Sequence, residues 1–328
     1  MNQINSTGKK NYSPIVLFVY NRVDTLEKLI SSLKLNQESQ ESDLFIFSDG
    51  PNFKDSTDSL EVKKVRNYIH AIDSFKSINI IESGANKGLA KSIIEGLNII
   101  SNKFESFIVL EDDLLVSPYF LKYMNSSLNK YKLQNKVWSI NGFGTDPALF
   151  NLPENLRNEF YWSLRPSSHG WGTWSNRWQE AVWDEARLEK LLKNRKHKKR
   201  VLLAGGDIFY MFDLQLKKNI DSWGVRWVIN ACVNDKYSLN PVYSYTTHQI
   251  SQKGTHVRGV NHILTNDVQL SKLELKYPEK ISLNKVIIKK LQHNVFGPKR
   301  FEKIKYKLKV IKNYSNSIFK NTPDKFSI

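Results

Sequence analysis

Up to Asp113, four short and largely apolar runs alternate with stretches of helical period, and this alternation constrains the fold more than any other feature. Pro14–Tyr20, Leu44–Phe47, Ile78–Ile81 and Phe107–Leu110 have the length and composition of strands buried in a sheet. Between them, apolar residues recur at helical spacing: Leu26, Leu29, Ile30 and Leu33; then Val62, Val65, Ile69 and Ile72; then Ile93, Ile94, Leu97 and Ile100. An Asp24-x-x-Glu27 pair reads as a capping box for the first helix. Ser48-Asp-Gly-Pro51 and Gly84-Ala-Asn-Lys-Gly88 read as the turns that break the series. Strand and helix repeated in this order predict an α/β fold with a parallel, right-handed, doubly wound sheet.

The fourth strand runs directly into Glu111-Asp112-Asp113. Open α/β sheets bind ligands at the carboxyl edge of their strands, so this triplet is delivered to a crevice. Adjacent carboxylates repel one another and resist desolvation. They are tolerated at a buried edge when something positive lies against them, and a hard divalent cation carrying phosphate oxygens is the usual candidate. An acidic helix cap would account for one acid or two, not three. The other strands deliver Asn21-Arg22, Asp49-Gly50 and Asn86-Lys87-Gly88 to the same edge. Arg22 offers a planar fork for phosphate or a base carbonyl, Asp49 an acceptor for a ring N–H, and Gly88 close backbone approach to a nucleotide. Each also has an ordinary reading, as surface charge, turn or helix-entry loop; their convergence carries the argument.

Hydrophobic residues at 40% and aromatics at 12% exclude general disorder, and 328 residues allow one large domain or two smaller ones. Met1–Tyr12 is polar and resembles no signal peptide, and no apolar run has the length to span a bilayer, so a cytoplasmic protein is expected. The single Cys232 excludes an internal disulfide and a cysteine zinc site, and reads as a small buried apolar residue. A net charge of +17 calls for an anionic partner: nucleic acid, lipid or a phosphorylated substrate. Much of the excess lies in Lys193-Asn-Arg-Lys-His-Lys-Lys-Arg200 and beyond about Ser271. Such a run is most often a solvated face.

From Val137 the texture becomes aromatic-rich and glycine-punctuated, as in the half where an α/β enzyme builds its second-substrate pocket. The expected organisation is a polar tail over 1–12, a catalytic domain over 13–262 and a Lys-rich extension over 263–328. The domain divides into a half of alternating strand and helix (13–136) and an aromatic-rich half (137–262), which the resemblance set out below makes the nucleotide-sugar and acceptor halves. In the extension, Phe301, Ile304, Leu308 and Ile311 fit a helix, whereas Ile304, Tyr306, Leu308 and Val310 fit a strand.

Val-Tyr-Asn-Arg22, Ser-Asp-Gly50, Asn-Lys-Gly-Leu-Ala90 and Val-Leu-Glu-Asp-Asp-Leu-Leu-Val-Ser-Pro-Tyr-Phe120 together resemble the GT-A fold glycosyltransferases. The likeness is to bacterial family 2-like sugar transferases and to N-acetylglucosaminyltransferase I type enzymes, in which Glu-Asp-Asp is the local form of the DxD motif. It continues through Trp138-Ser-Ile-Asn-Gly142, Ser168-His-Gly-Trp-Gly-Thr-Trp174, Ile220-Asp-Ser-Trp-Gly-Val-Arg-Trp227 and Gly254-Thr-His256, roughly residues 13 to 260. The resemblance implies a GT-A type, Rossmann-like, mostly parallel sheet and a metal-dependent inverting transferase of hexosyl or N-acetylhexosaminyl groups. The donor would be a nucleotide-sugar, with a UDP-sugar the expected one. The acceptor would be a glycan or lipid-linked saccharide, in surface polysaccharide biosynthesis.

By the same resemblance Asp113 would hold Mn2+ or Mg2+, Asp112 the ribose and Glu111 a sugar hydroxyl. Arg22, Asp49, Lys87 and Gly88 would hold the nucleotide. His256 would contact phosphate or complete the metal shell, with His248 as its alternative. Inversion needs a base for the acceptor hydroxyl. In the related enzymes that base lies beside a tryptophan with an arginine shortly after, which points to Asp221. Ser222 stands directly before Trp223 where an acid is expected, so Asp207 of Gly205-Gly-Asp207 stays open as the alternative. An ion pair between Asp221 and Arg226 is the ordinary reading of the same residues. Trp171, Trp174 and Trp223 would wall the sugar pocket, with His169 beside them, although tryptophans are usually buried for packing. The Lys-rich extension would meet an anionic membrane surface on the cytoplasmic face or pack as a solvated helix.

Three other classes compete. A nucleotidyltransferase on a similar sheet would want a Gly-rich, Lys/Arg-containing loop after the first strand, and none is present. A nucleic-acid-binding protein would use the positive charge, but no RNP, zinc-finger or helix-turn-helix signature appears and the acidic triplet argues against it. A transferase fold that binds glycan without turnover would not need an intact triplet.

Overall fold

The computed structural model describes residues 12–145, 147, 151–157, 160–249 and 275–294. The predicted alternation is present: β1 (Ile15–Val19), α1 (Val23–Lys34), β2 (Asp43–Ser48), α2 (Asp58–His70), β3 (Ser77–Glu82), α3 (Leu89–Ser101) and β4 (Ser106–Glu111). There follow β5 (Leu114–Val116), α4 (Phe120–Tyr131), β6 (Val137–Asn141), β7 (Phe160–Ser163), β8 (Trp171–Trp174) and the helices α5 (Ser175–Glu180), α6 (Glu185–Leu191), α7 (Arg195–Ala204), α8 (Asp207–Leu216) and α9 (Trp223–Val233). Then come β9 (Tyr237–Pro241), β10 (Thr246–His248) and α10 (Lys285–Asn294).

Among the described residues an eight-stranded sheet runs in the order β3-β2-β1-β4-β8-β6-β9-β7. Its first four strands are parallel. The antiparallel β8 joins β4 to β6, and β9 continues parallel to β6 before β7 closes the edge antiparallel. After β1 the chain moves outward to β2 and β3, then returns to the opposite side of β1 at β4. The topological switch point therefore lies between β1 and β4, where such sheets open a crevice. The register Phe18↔Glu111 sets the two carboxyl ends side by side.

Both faces of the sheet are covered, which is why its central strands are apolar at every position. Ile15, Leu17 and Val19 face Leu26, Leu29, Val65 and Met124 on one side. Val16 and Phe18 face Ile93 and Leu97 of α3 on the other, in a cluster that includes Trp138, Trp171, Trp178, Trp223 and Trp227. Full burial of such aliphatic side chains contributes about 1.5–3 kcal/mol each.

The capping box is absent from α1, whose cap position is Arg22 with no side-chain cap bond. Asp24 instead lies in the first turn, where a carboxylate still favours the positive end of the helix dipole. In the expected extension, Ile287 and Leu291 of α10 pack on Leu152, Tyr161 and Val242, so this part is seated on the domain. His256, the 262/263 boundary and the 301–311 stretch lie outside the described residues.

Candidate active site

The switch point brings the ends of β1 and β4 together. Arg22 Nη1 donates to Asp113 Oδ2 at 3.0 Å, its Nη2 donates to Asp112 Oδ1, and the Tyr20 backbone N–H donates to Asp112 Oδ2 at 3.3 Å. Asp112 is buried, whereas Glu111 and Asp113 are partly exposed. Burial and the neighbouring carboxylates Asp113 and Asp112 push Glu111 up to about 8, although Arg22 opposes them. Burial likewise pushes Asp112 up to about 6, against the pull of Arg22. One guanidinium thus leaves the crest of three carboxylates short of positive charge.

A histidine reaches this crest from far along the chain. β10 pairs with β5 in the register His248↔Leu114. His248 Nδ1 lies 3.9 Å from Asp113 Oδ2, and its ring meets His169 edge to face at 4.8 Å. Among the described residues, no group of three or more His, Cys, Asp or Glu side chains forms a metal-binding cluster.

Asp49 is engaged by its own loop. Its carboxylate accepts the backbone N–H groups of Gly50 and Lys87, both at 2.9 Å, and of Gly88 at 3.0 Å. Gly88 has φ +78°, a conformation that favours glycine, and opens α3. The Lys87 ammonium pairs with Glu95 at 2.9 Å. Asp49 therefore shapes the loop that carries Lys87 and Gly88 to the sheet edge.

Beside the crest lies a cavity of about 350 Å³ bordered by Ser163, Arg165, His169, Asp207, Trp223 and Asn240 among others. Arg165 donates from both terminal nitrogens to the two oxygens of Asp207, each at 2.8 Å. Asp221 lies just before cavity-lining Ser222 and is 64% exposed. Its Oδ1 accepts from Arg226 at 2.8 Å and from Gln215 at 3.3 Å.

The tryptophans divide. Trp223 borders the cavity and stacks on Trp171 at 5.2 Å. Trp171 is fully buried and does not border the cavity; Trp174 is also in the core, its indole N–H donating to Leu128 O at 3.2 Å. Both sit on β8, a strand paired on both sides, so their rings fill the layers above and below the sheet. Arg165, Ser163 and Asn240 are cavity residues that sequence reasoning missed. Only the meeting of β7, β9 and α8 identifies them, and no local motif signals it.

A switch-point crevice with an acidic crest after the fourth parallel strand, joined to a mixed second half, defines the GT-A type of α/β protein. More specifically, the chain belongs to the GNT-I family, whose model matches residues 1–204. It is 27% identical over 210 residues to the alpha-1,3-mannosyl-glycoprotein 2-beta-N-acetylglucosaminyltransferase of Arabidopsis thaliana, a match covering 58% of this chain and 45% of that protein. The chain thus spans less than half the length of this relative. Among solved structures it is similar to the mannosyltransferase PcManGT of Pyrobaculum calidifontis, crystallised with GDP-Man and Mn2+. The TM-score is 0.44 and the identity 10%, over 76% of this chain and 60% of that one. It is also similar to S. aureus TarS in complex with UDP, with a TM-score of 0.41 and 12% identity over 74% and 61% of the two chains.

Proposed function

We propose that this protein is a metal-dependent, inverting glycosyltransferase. It takes a UDP-sugar at the β1/β4 crevice and an acceptor saccharide, free or lipid-linked, in the adjoining cavity, to build a surface glycan. The observation that carries the reading is the acidic crest at the switch point, held by Arg22 and opening beside a cavity of mixed aromatic and hydroxyl lining. The name of the Arabidopsis relative supports the same chemistry and favours an N-acetylhexosamine as the transferred sugar.

Asp113 offers a hard carboxylate oxygen for a cation, with the His248 imidazole beside it. Asp113 and His248 converge within 3.9 Å, and a manganese or magnesium site of this kind takes its other ligands from substrate phosphate and water. Asp113 and His248 would hold the ion, which when bound neutralises charge on the departing nucleoside diphosphate. Asp112, fixed by Arg22 and the Tyr20 N–H, faces the ribose, and Glu111 the donor sugar. The loop pinned by Asp49 brings the backbone of Lys87 and Gly88 against the nucleotide.

Asp221 is the base in this reading. Asp207 has both oxygens engaged by Arg165, whereas Oδ2 of Asp221 accepts no hydrogen bond among the described residues. Arg226 and Gln215 hold the other oxygen, and Asp221 directly precedes Ser222 and Trp223, which border the cavity. The proton of the acceptor hydroxyl passes to Asp221 as that oxygen attacks the anomeric carbon and the bond from that carbon to the diphosphate oxygen breaks, the nucleoside diphosphate leaving with the electron pair.

Asp113→Asn and Asp221→Asn separate these roles. Calorimetry should find donor affinity reduced about tenfold or more by Asp113→Asn and unchanged by Asp221→Asn, whereas Asp221→Asn should slow transfer by about 10²–10⁴-fold. Equal and small effects from both would sink the assignment.

A further inference from the structure

The basic run of the sequence is a helix, and the cavity and crest make no use of it. Asn194 caps α7, its Oδ1 accepting from the Lys196 N–H at 2.8 Å, and Val201 and Ala204 bury the inner face. Arg195, Lys198, Lys199 and Leu202 then recur at the spacing of a single exposed face, with Lys196 beside them. Arg200 pairs with Asp235, but none of the four outward cations has an acidic partner among the described residues. These cations crowd the N-terminal half of α7, where the helix dipole disfavours positive charge. Folding alone therefore does not explain them.

Leu202 is 45% exposed amid these charges. Alongside lies α10, joined by a hydrogen bond from Gln292 Nε2 to Leu202 O at 2.6 Å, and α10 adds exposed Lys285, Val286 and Lys289. Its Leu291 borders the cavity.

We propose that α7, with α10 beside it, is a docking face for an anionic phospholipid surface. Lysine and arginine around a protruding leucine match the boundary between headgroups and acyl chains, where charge attracts and the apolar side chain inserts. A surface that holds single-stranded nucleic acid would instead carry aromatic stacking platforms, and among the described residues α7 and α10 contain no Phe, Tyr or Trp. Docking there would bring the cavity close to a lipid-linked acceptor. That consequence rests on the proposed transferase reading, but the lipid binding does not.

Vesicle co-sedimentation of the full chain tests it, using phosphatidylcholine alone and phosphatidylcholine with phosphatidylglycerol in equal parts. Wild type should bind only the anionic vesicles. Each lost cation should weaken partitioning about fivefold, so Arg195→Gln, Lys196→Gln, Lys198→Gln and Lys199→Gln combined should lower it several hundredfold. Leu202→Ser, which alters no charge, should weaken it further. UDP affinity measured on the same variants should stay unchanged, which separates loss of docking from loss of the active site. No wild-type binding to anionic vesicles, or equal binding by the fourfold variant, overturns the proposal. So does tight, salt-sensitive binding to nucleic acid that ignores Leu202→Ser while the vesicles stay unbound.

Discussion

Replacing Asp49 by alanine distinguishes a loop anchor from a side chain that serves only the ligand. The carboxylate accepts three backbone N–H groups, from Gly50, Lys87 and Gly88, at 2.9 to 3.0 Å. Hydrogen bonds to a charged acceptor contribute about 1.5–3 kcal/mol net when buried; with the Lys87 and Gly88 amides half-buried, about 1–1.5 kcal/mol each is appropriate. Asp49→Ala should therefore cost about 3–4 kcal/mol of folding stability. Asp49→Asn, which keeps one acceptor oxygen but turns an NH2 group toward a backbone donor, should cost about 2 kcal/mol. Urea unfolding followed by tryptophan fluorescence reads both. UDP affinity should fall in the same order, because the Lys87–Gly88 backbone loses its position. A loss of stability below about 1 kcal/mol for Asp49→Ala, with affinity abolished, would refute the anchoring argument and return Asp49 to direct contact with the base.

Arg22→Met leaves Asp112 buried without its counter-charge and should destabilise by about 3 kcal/mol. Added manganese should restore part of that loss in a thermal melt, and no recovery would argue against a cation at Asp113. Gly170 has φ +72° and packs so that a Cβ would lie 2.7 Å from Thr246 Cγ2. Gly170→Ala should then cost about 2–3 kcal/mol, measured by urea unfolding, and should shift His169 next to it. Burial raises the Cys232 thiol to about 12, so almost no thiolate exists near neutral pH. Cys232 should be inert to a disulfide reagent in the native protein and react fully in guanidinium; rapid native labelling would contradict its burial.

The parallel half of the sheet was legible because its signal is local. β1 occupies Ile15–Val19 within the apolar run Pro14–Tyr20, and β4 carries Phe107–Leu110 directly into the acidic triplet. An apolar run of that length between helical periods has few places to go other than the centre of a sheet. What stayed hidden was fixed by partners distant in sequence. That Arg22 braces the acidic triplet is visible only once β1 and β4 lie side by side and its fork falls on Asp112 and Asp113. His248 looks unremarkable until β10 pairs with β5. Asp49 in an Asp-Gly turn cannot be told from a ligand by sequence, because its acceptors' partners are backbone amides without residue identity. The tryptophan-rich segments read equally as pocket wall or core; strand alternation and the pairing of β8 on both sides put Trp171 and Trp174 inside.

Calorimetric titration of UDP into the protein, first with manganese and then with chelator, tests whether the β1/β4 crevice is a metal-dependent nucleotide site. UDP should bind in preference to other nucleoside diphosphates, at least about tenfold more weakly under chelation, if Asp113 and His248 hold an ion there as proposed. UDP binding of equal strength with and without manganese, or no nucleotide binding in either condition, would contradict it.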